Sequence, residues 1–408
     1  MTRPTEQVVV TGMGVVSAAG ATLDENWSRV CSGKPTGTLH PAFADLPSAV
    51  CSPILDLDPR SILSPQEARR CDRATQFALV AAREAVADAG LDSATWDGAR
   101  VGIVLGTSSG CATSFEEGYR ALAEDGPEWV SPLFGITAPM GMIAGYTAIM
   151  LRAYGPNMVV ATACAAGPTA IGTARQLLQA DLCDIVVAGA TEAPLTRLAM
   201  ASLYQMGALS RRTDDPASAS RPFDADRDGM VPAEGAGVMV LERAPDARAR
   251  GARARAIVAG YGASADGYHL SAPDPDGVGV ERAVRAALAD AGLSATDIGH
   301  VNAHGSSTPL NDSTEAAVIE RIYQHPAVTS TKGVTGHALG AAGAMEAVFS
   351  VLALEHGLVP PTANLRTLDP EIHVDVVAGA TRALPLDAVM THSFGFGGQN
   401  AVVAFVHP

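Results

Sequence analysis

Val159-Val160-Ala161-Thr162-Ala163-Cys164-Ala165-Ala166-Gly167 is an apolar run that stops at one cysteine, after which small residues open a helical pattern. A strand that delivers a cysteine to the first turn of a helix sets its sulfur beside unpaired backbone N–H groups. Those groups stabilise a thiolate and lower the pKa, which is how a reactive thiol is built. The plainer alternative is a small buried cysteine that fills core volume. What the rest of the chain places beside Cys164 decides between the two.

The chain has 408 residues, 47% of them hydrophobic and 17% charged, enough to bury one large core or two fused ones. Its 41 glycines, many alanines and few aromatics point to a layered α/β protein in which small residues let helix and sheet approach closely. A formal charge of −15 argues against a nucleic-acid-binding surface and against a polybasic membrane anchor. Six cysteines (Cys31, Cys51, Cys71, Cys111, Cys164 and Cys183) show neither C-x-x-C spacing nor a dense secreted pattern. Neither a zinc site nor a disulfide framework is expected, and a reducing cytoplasm fits best. Met1 to Gln7 is polar, Val8-Val9-Val10 is too short to be a signal peptide or a span, and Glu346 interrupts the apolar stretch Ala338 to Leu354. No membrane-spanning segment is expected.

An internal repeat organises the chain. Ala85-Val86-Ala87-Asp88-Ala89-Gly90-Leu91 recurs as Ala287-Leu288-Ala289-Asp290-Ala291-Gly292-Leu293, each reading as the end of an amphipathic helix stopped by glycine. A polar loop and a strand follow in both copies, from Val101 in the first and from His300 in the second. Val8 to Thr11 and Ala256 to Ala259 each read as an opening strand, and an Ala-rich helix comes late in each half, after Cys164 and after His337. On this alignment His337 stands at the place corresponding to Cys164. The Arg- and Ala-rich junction from Ala244 to Arg255 divides an N-terminal half, 1–250, from a C-terminal half, 251–408, packed as one body. Gly12-Met13-Gly14 after the first strand resembles the start of a dinucleotide-binding loop, but Ser17 takes the third glycine position and no strand ending in an acid follows.

Three further segments set polar residues in glycine-rich turns: Asn302-Ala303-His304-Gly305-Ser306-Ser307-Thr308, Lys332-Gly333-Val334-Thr335-Gly336-His337, and Ser393-Phe394-Gly395-Phe396-Gly397-Gly398-Gln399-Asn400. With Cys164 in front of them, in this order and over nearly the whole length, the chain resembles a β-ketoacyl-acyl-carrier-protein synthase, of the condensing enzymes with two histidines. The resemblance implies the thiolase fold, two duplicated α/β halves forming a five-layer αβαβα sandwich, usually as a dimer. It implies that Cys164 takes an acyl chain from the phosphopantetheine of an acyl carrier protein. His304 and His337 then donate hydrogen bonds to a malonyl thioester and stabilise the enolate left when carbon dioxide departs. The oxyanion hole falls to the backbone N–H groups of Cys164 and Phe396. Lys332 is grouped with the catalytic residues, Glu346 and Thr308 with the supporting ones. Phe394 and Phe396 form a gate hinged at Gly395 and Gly397.

No cofactor is expected beyond the arm that the carrier protein brings. The partners expected are an acyl carrier protein and a second subunit, identical or related, with no nucleic acid and no membrane. Carrier proteins are acidic, so this acidic chain needs a local basic patch, for which Arg69, Arg70, Arg211 and Arg212 are candidates. Several positions depart from the family pattern. Pro232 and Ala233 stiffen one turn, and Ser109 stands in the acyl pocket where relatives carry isoleucine or glycine. Thr391-His392 replaces asparagines of a monovalent-cation site completed by Asn302 and Glu346, so no metal is expected there and His392 reads as structural. The expected reaction is decarboxylative Claisen condensation in fatty acid or polyketide synthesis. The alternatives are another carbon–carbon bond closure, such as cyclisation of a carrier-bound intermediate, and a silent chain-length subunit, which Cys164 and both histidines argue against.

Overall fold

The protein is described from a computed structural model that covers residues 6–55, 57 and 63–408. Residues 1–5 of the polar N-terminal segment lie outside the described residues. Ten strands form one sheet: β1 (Val8–Ser17), β2 (Val101–Gly106), β3 (Asn157–Val160), β4 (Ile185–Glu192), β5 (Gly235–Arg243), β6 (Ala256–Ala265), β7 (Ile298–Asn302), β8 (Ala327–Thr329), β9 (Ala388–Gly395) and β10 (Gln399–Val406). The spatial order is β8-β7-β9-β10-β6-β1-β5-β4-β2-β3. Counted outward from the central β1–β6 pair, the first half runs 1-5-4-2-3 and the second runs 6-10-9-7-8. The two halves therefore share one topology, strand for strand.

The helices repeat in the same way: α1 (Arg73–Asp88), α2 (Gly141–Leu151) and α3 (Ala166–Gln179), then α4 (Val278–Ala291), α5 (Pro309–Ile322) and α6 (Ala342–His356). α1 starts where the Asp72 side chain accepts the Ala74 N–H, buries Phe77, Ala78, Ala81 and Ala85, and stops before Gly90 at φ +65°. α4 stops at Gly292, φ +66°, so both glycine stops lie where the repeat places them. α1 packs on β1, α4 packs on β6, and α3 and α6 lie between the two half-sheets. These are the layers of the thiolase-type αβαβα sandwich.

Gly12 and Gly14 have a structural reason. A Cβ at Gly12 would lie 2.2 Å from the Ala85 carbonyl oxygen, and one at Gly14 would lie 2.1 Å from that of Ala81. Gly260 and Gly262 on β6 repeat the contact against Ala287 and Ala283, at 2.3 and 2.1 Å. These glycines let strand and helix touch backbone to backbone.

α3 and α6 cross as closely, since a Cβ at Gly167 would sit 2.3 Å from the Ala344 nitrogen. The apolar helical run Leu339–His356 is long enough to cross a membrane and is instead buried between the two half-sheets.

The twin of Cys164 is not His337. A single 3-10 turn precedes each middle helix, Ala163–Ala165 before α3 and Leu339–Ala341 before α6, and each turn begins at a positive φ, +47° and +42°. Helix start sets the register, so Cys164 corresponds to Gly340 and His337 lies three residues upstream. A side chain at Gly340 would put its Cβ 2.5 Å from the Ser108 nitrogen and 2.6 Å from Glu192 Oε2.

Candidate active site

β3 carries the chain to Ala163, whose positive φ turns Cys164 into the space between the halves. Positive φ at a non-glycine residue is costly and is sustained here by the packing of α3 on α6. The cysteine is buried among Met200, Leu203, Leu209, Met230 and Leu339, with Phe396 against them. His304 follows the end of β7. His337 follows the short helix Lys332–Thr335 and Gly336, φ +70°. The backbone of His337 is clamped by the Val231–Ala233 segment: its N–H donates to the Val231 carbonyl at 2.8 Å, and its carbonyl accepts the Ala233 N–H at 3.0 Å. The departures at Pro232 and Ala233 thus fall on the strap that holds His337.

The Cys164 sulfur and one ring nitrogen from each of His304 and His337 lie within 4.8 Å of one another. The two imidazoles meet edge to face, with centroids 5.1 Å apart. All three side chains are buried and line a cavity of about 270 Å³ with Phe394, Gly395, Phe396 and Thr308. The Phe396 N–H points at the Cys164 sulfur. Gly395 leaves room for this, because a Cβ there would lie 2.9 Å from the Cys164 nitrogen. Gly397 and Gly398, at φ +79° and +70°, form the turn that follows. Thr308 hydrogen-bonds Ser306 at 2.9 Å on the cavity wall.

Burial pushes the Cys164 thiol up to about 12, against the pull of Lys332 and of the Phe396 N–H. The thiolate expected from a helix start is therefore not the resting form: the site is too dry. Burial, helped by the Lys332 charge, holds both imidazoles well below their ordinary value, so they are neutral hydrogen-bond donors.

Lys332 does not line the cavity. Its ammonium donates to the His304 carbonyl at 2.5 Å and to Glu346, contacts that hold the His304 backbone. Burial raises Glu346 to about 7 while Lys332 draws it down. The sequence reading passed over Glu315, which accepts the peptide N–H groups of His304 and Gly305 at 2.8 and 2.7 Å. It also passed over Glu192, whose buried carboxylate accepts the N–H groups of Ser108, Ser109 and Gly340 at 2.6 to 3.0 Å. Both are single acids inside helical or strand patterns, with no local signal to mark them.

The arginine candidates separate. Arg211 and Arg212 follow the cavity-lining segment Met206 to Ala208, and the Arg211 guanidinium lies 5.8 Å from the Tyr204 ring centre. Arg69 and Arg70 are exposed, and Arg69 lines a different cleft with Trp129 and Phe134. Nearby Arg73 is tied to buried Glu234 at 2.6 Å.

Among the buried side-chain oxygens of the described residues that have no hydrogen-bond partner, four belong to β7, β9 and α6: Asn302 Oδ1, Glu346 Oε2, Thr391 Oγ1 and Ser393 Oγ. Asn302 and Thr391 are paired across β7 and β9, and Ser393 touches α6 at Gly343, one turn before Glu346. An all-oxygen set with one carboxylate fits a monovalent cation. Thr391 keeps an oxygen at this departure, whereas His392 offers none, its ring nitrogens facing Glu315 and Tyr323. The Cys164–His304–His337 trio is also spaced to hold a metal, although its neutral imidazoles equally suit a carbonyl oxygen.

Residues 5–247 match the family model described as Beta-ketoacyl synthase, N-terminal domain, and residues 255–366 match Beta-ketoacyl synthase, C-terminal domain. A Synechocystis protein named 3-oxoacyl-[acyl-carrier-protein] synthase 2 is 41% identical over 407 residues, covering 98% of each chain. The Staphylococcus aureus (strain COL) protein of the same name is 40% identical over 406 residues, with 98% of each chain covered. Among solved structures, "The ishigamide ketosynthase/chain length factor" superposes with a TM-score of 0.92 at 34% identity, over 99% of this chain and 100% of that one. A type II PKS ketosynthase in complex with its acyl-carrier protein, AntDE:AntF, reaches 0.92 at 31% identity with the same coverage.

Proposed function

The chain belongs to the β-ketoacyl synthase family, and from that premise we propose how its residues divide the work of condensation. The enzyme is an acyltransferase: it joins a cysteine-bound acyl chain to the two-carbon unit of a malonyl-type carrier thioester, releasing carbon dioxide and a β-ketoacyl-carrier protein. The observation that carries the residue roles is one sulfur and two neutral imidazoles within 4.8 Å, with the Phe396 N–H on the sulfur.

In the first half-reaction the Cys164 thiol attacks the acyl thioester on the carrier's phosphopantetheine arm. The sulfur–carbon bond to Cys164 forms, the bond to the arm breaks, and the thiol proton leaves on the departing arm. The N–H groups of Cys164 and Phe396 meet the tetrahedral oxyanion. In the second, His304 and His337 donate to the malonyl thioester oxygen. The carbon–carboxylate bond breaks, carbon dioxide leaves, and its electron pair enters the enolate. The enolate carbon attacks the acyl group, and Cys164 departs as a thiolate. Burial makes that sulfur strongly basic, so it takes up one proton per turnover. Neutral imidazoles suit this chemistry because they stabilise the enolate without protonating it. A monovalent cation held by Asn302, Glu346, Thr391 and Ser393 would supply fixed positive charge beside Lys332.

For the partners, a second copy of the chain is proposed along β3, an edge strand whose neighbourhood exposes Ile149 and Tyr154. Carrier docking is proposed at Arg211 and Arg212, beside exposed Met206 and Leu310 at the cavity mouth. Six free thiols support a cytoplasmic setting.

Incubation with an acyl-loaded carrier protein, read by intact mass, tests the assignment. Cys164 alone becomes acylated and Cys164→Ala remains unmodified. An acyl group on another residue overturns the reading. His304→Ala and His337→Ala should keep acyl transfer and lose at least about 100-fold in malonyl decarboxylation.

A further inference from the structure

His392 on β9 is fully buried and takes no part in the steps above. Its Nδ1 lies 3.2 Å from Glu315 Oε1, and its Nε2 lies 2.9 Å from the Tyr323 hydroxyl. Glu315 already accepts the N–H groups of His304 and Gly305, so its free role toward His392 is again as acceptor. The network therefore puts the proton on Nδ1 and leaves Nε2 to accept from Tyr323. The Met390 sulfur, 3.2 Å from the same hydroxyl, is the weaker acceptor.

The chain Tyr323–His392–Glu315 reaches His304 through the peptide N–H and not through the ring. It thus carries orientation, not protons. Lys332 holds the carbonyl of His304 and Glu315 holds its N–H, so two charged groups fix the backbone from which the imidazole projects. His392 sets the direction of one of them. The same ring packs 5.5 Å from Phe394, which in turn lies 5.9 Å from His304, so the gate ring and the donor ring share one support.

We propose that His392 is a positioning residue for malonyl decarboxylation: by hydrogen-bonding Glu315 it holds the His304 loop in register with His337 and Cys164. This rests on the assignment of His304 as a donor to the malonyl thioester. A misplacement of the order of 1 Å in such a donor costs about 100-fold in rate, whereas acyl transfer to Cys164, served by backbone N–H groups, is spared.

The test uses the full-length enzyme and His392→Leu, His392→Asn and His392→Gln. Leucine removes both hydrogen bonds. Asparagine places an amide nitrogen near the position of Nδ1 and keeps the donor to Glu315, whereas glutamine reaches toward Tyr323 and abandons Glu315. Carbon dioxide release from malonyl-carrier protein and acylation of Cys164 by acyl-carrier protein are measured on each. His392→Leu and His392→Gln should lose about tenfold or more in kcat for decarboxylation with acylation within about twofold, and His392→Asn should recover most of the loss. Decarboxylation by His392→Gln within about twofold of the unmodified enzyme, or a His392→Asn variant no better than His392→Gln, overturns the proposal. Should the leucine variant not fold, the asparagine and glutamine pair decides. An unmodified enzyme that releases no carbon dioxide overturns the site assignment itself, which is a separate result.

Discussion

At Cys164 two effects on one thiol oppose each other. Its position at a helix start favours the thiolate, and its burial favours the thiol; burial wins. Alkylation of Cys164 by iodoacetamide, followed by mass, should therefore accelerate by close to tenfold per pH unit from pH 7 to 10 without a plateau. A plateau below pH 8 would show that the helix start wins instead. The His304 and His337 pKa values are lowered, so acidification through the ordinary histidine range should leave both donors neutral. The ring C–H resonances of both histidines, followed by NMR, should then stay level from pH 7.5 to 6, whereas a titration centred near 6.5 would contradict the burial effect; the rate itself is a poorer readout, because Glu346 is raised to about 7. Lys332 and Glu346 form a buried pair, and Glu346→Gln leaves an ammonium without its counter-charge. We expect it to lower unfolding free energy by about 3 kcal/mol in urea titration. Cys164, His304 and His337 were legible because each stands in a glycine-rich turn with chemistry-bearing neighbours. Glu315 was not, and His392 was legible as structural but without its partners. The two lie 77 residues apart and acquire a role only when α5 meets β9.

At the scale of elements, the repeat of α1 and α4 was readable from a seven-residue match and a glycine stop. Two points needed coordinates. Gly12-Met13-Gly14 could be dismissed as a nucleotide loop from Ser17, but its real purpose, contact with the α1 backbone, is written in residues some 70 positions away. Composition alone sets His337 opposite Cys164, because Ala-rich sequence does not mark the single turn, Leu339–Ala341, that precedes α6. The twin contacts make a paired prediction. Gly12→Ala and Gly260→Ala each force a methyl into a helix carbonyl and should each cost about 2 kcal/mol or more. Their chemical-denaturation midpoints should fall by similar amounts, and a neutral Gly260→Ala would break the structural equivalence.

For the whole molecule, the thiols of Cys51, Cys71, Cys111 and Cys164 are all raised by burial to about 12, against 9 when unfolded. A group whose folded pKa is raised contributes stability that is complete below the unfolded value and is lost as pH climbs toward the folded one. Stability should therefore fall from pH 9 upward by about 1 kcal/mol per thiol at pH 10, visible as a steep decline in Tm. The overall architecture, two like halves around a shared middle layer, was visible in outline. What the coordinates add is that the halves are equivalent in frame and unequal in use. At the counterpart of Cys164 stands Gly340, walled in by the Ser108 nitrogen and by a carboxylate that already binds three backbone N–H groups. No single codon change could install a second nucleophile there without breaking that wall. The duplication thus divides labour: one copy of the turn presents the nucleophile, and the other serves as masonry between the halves.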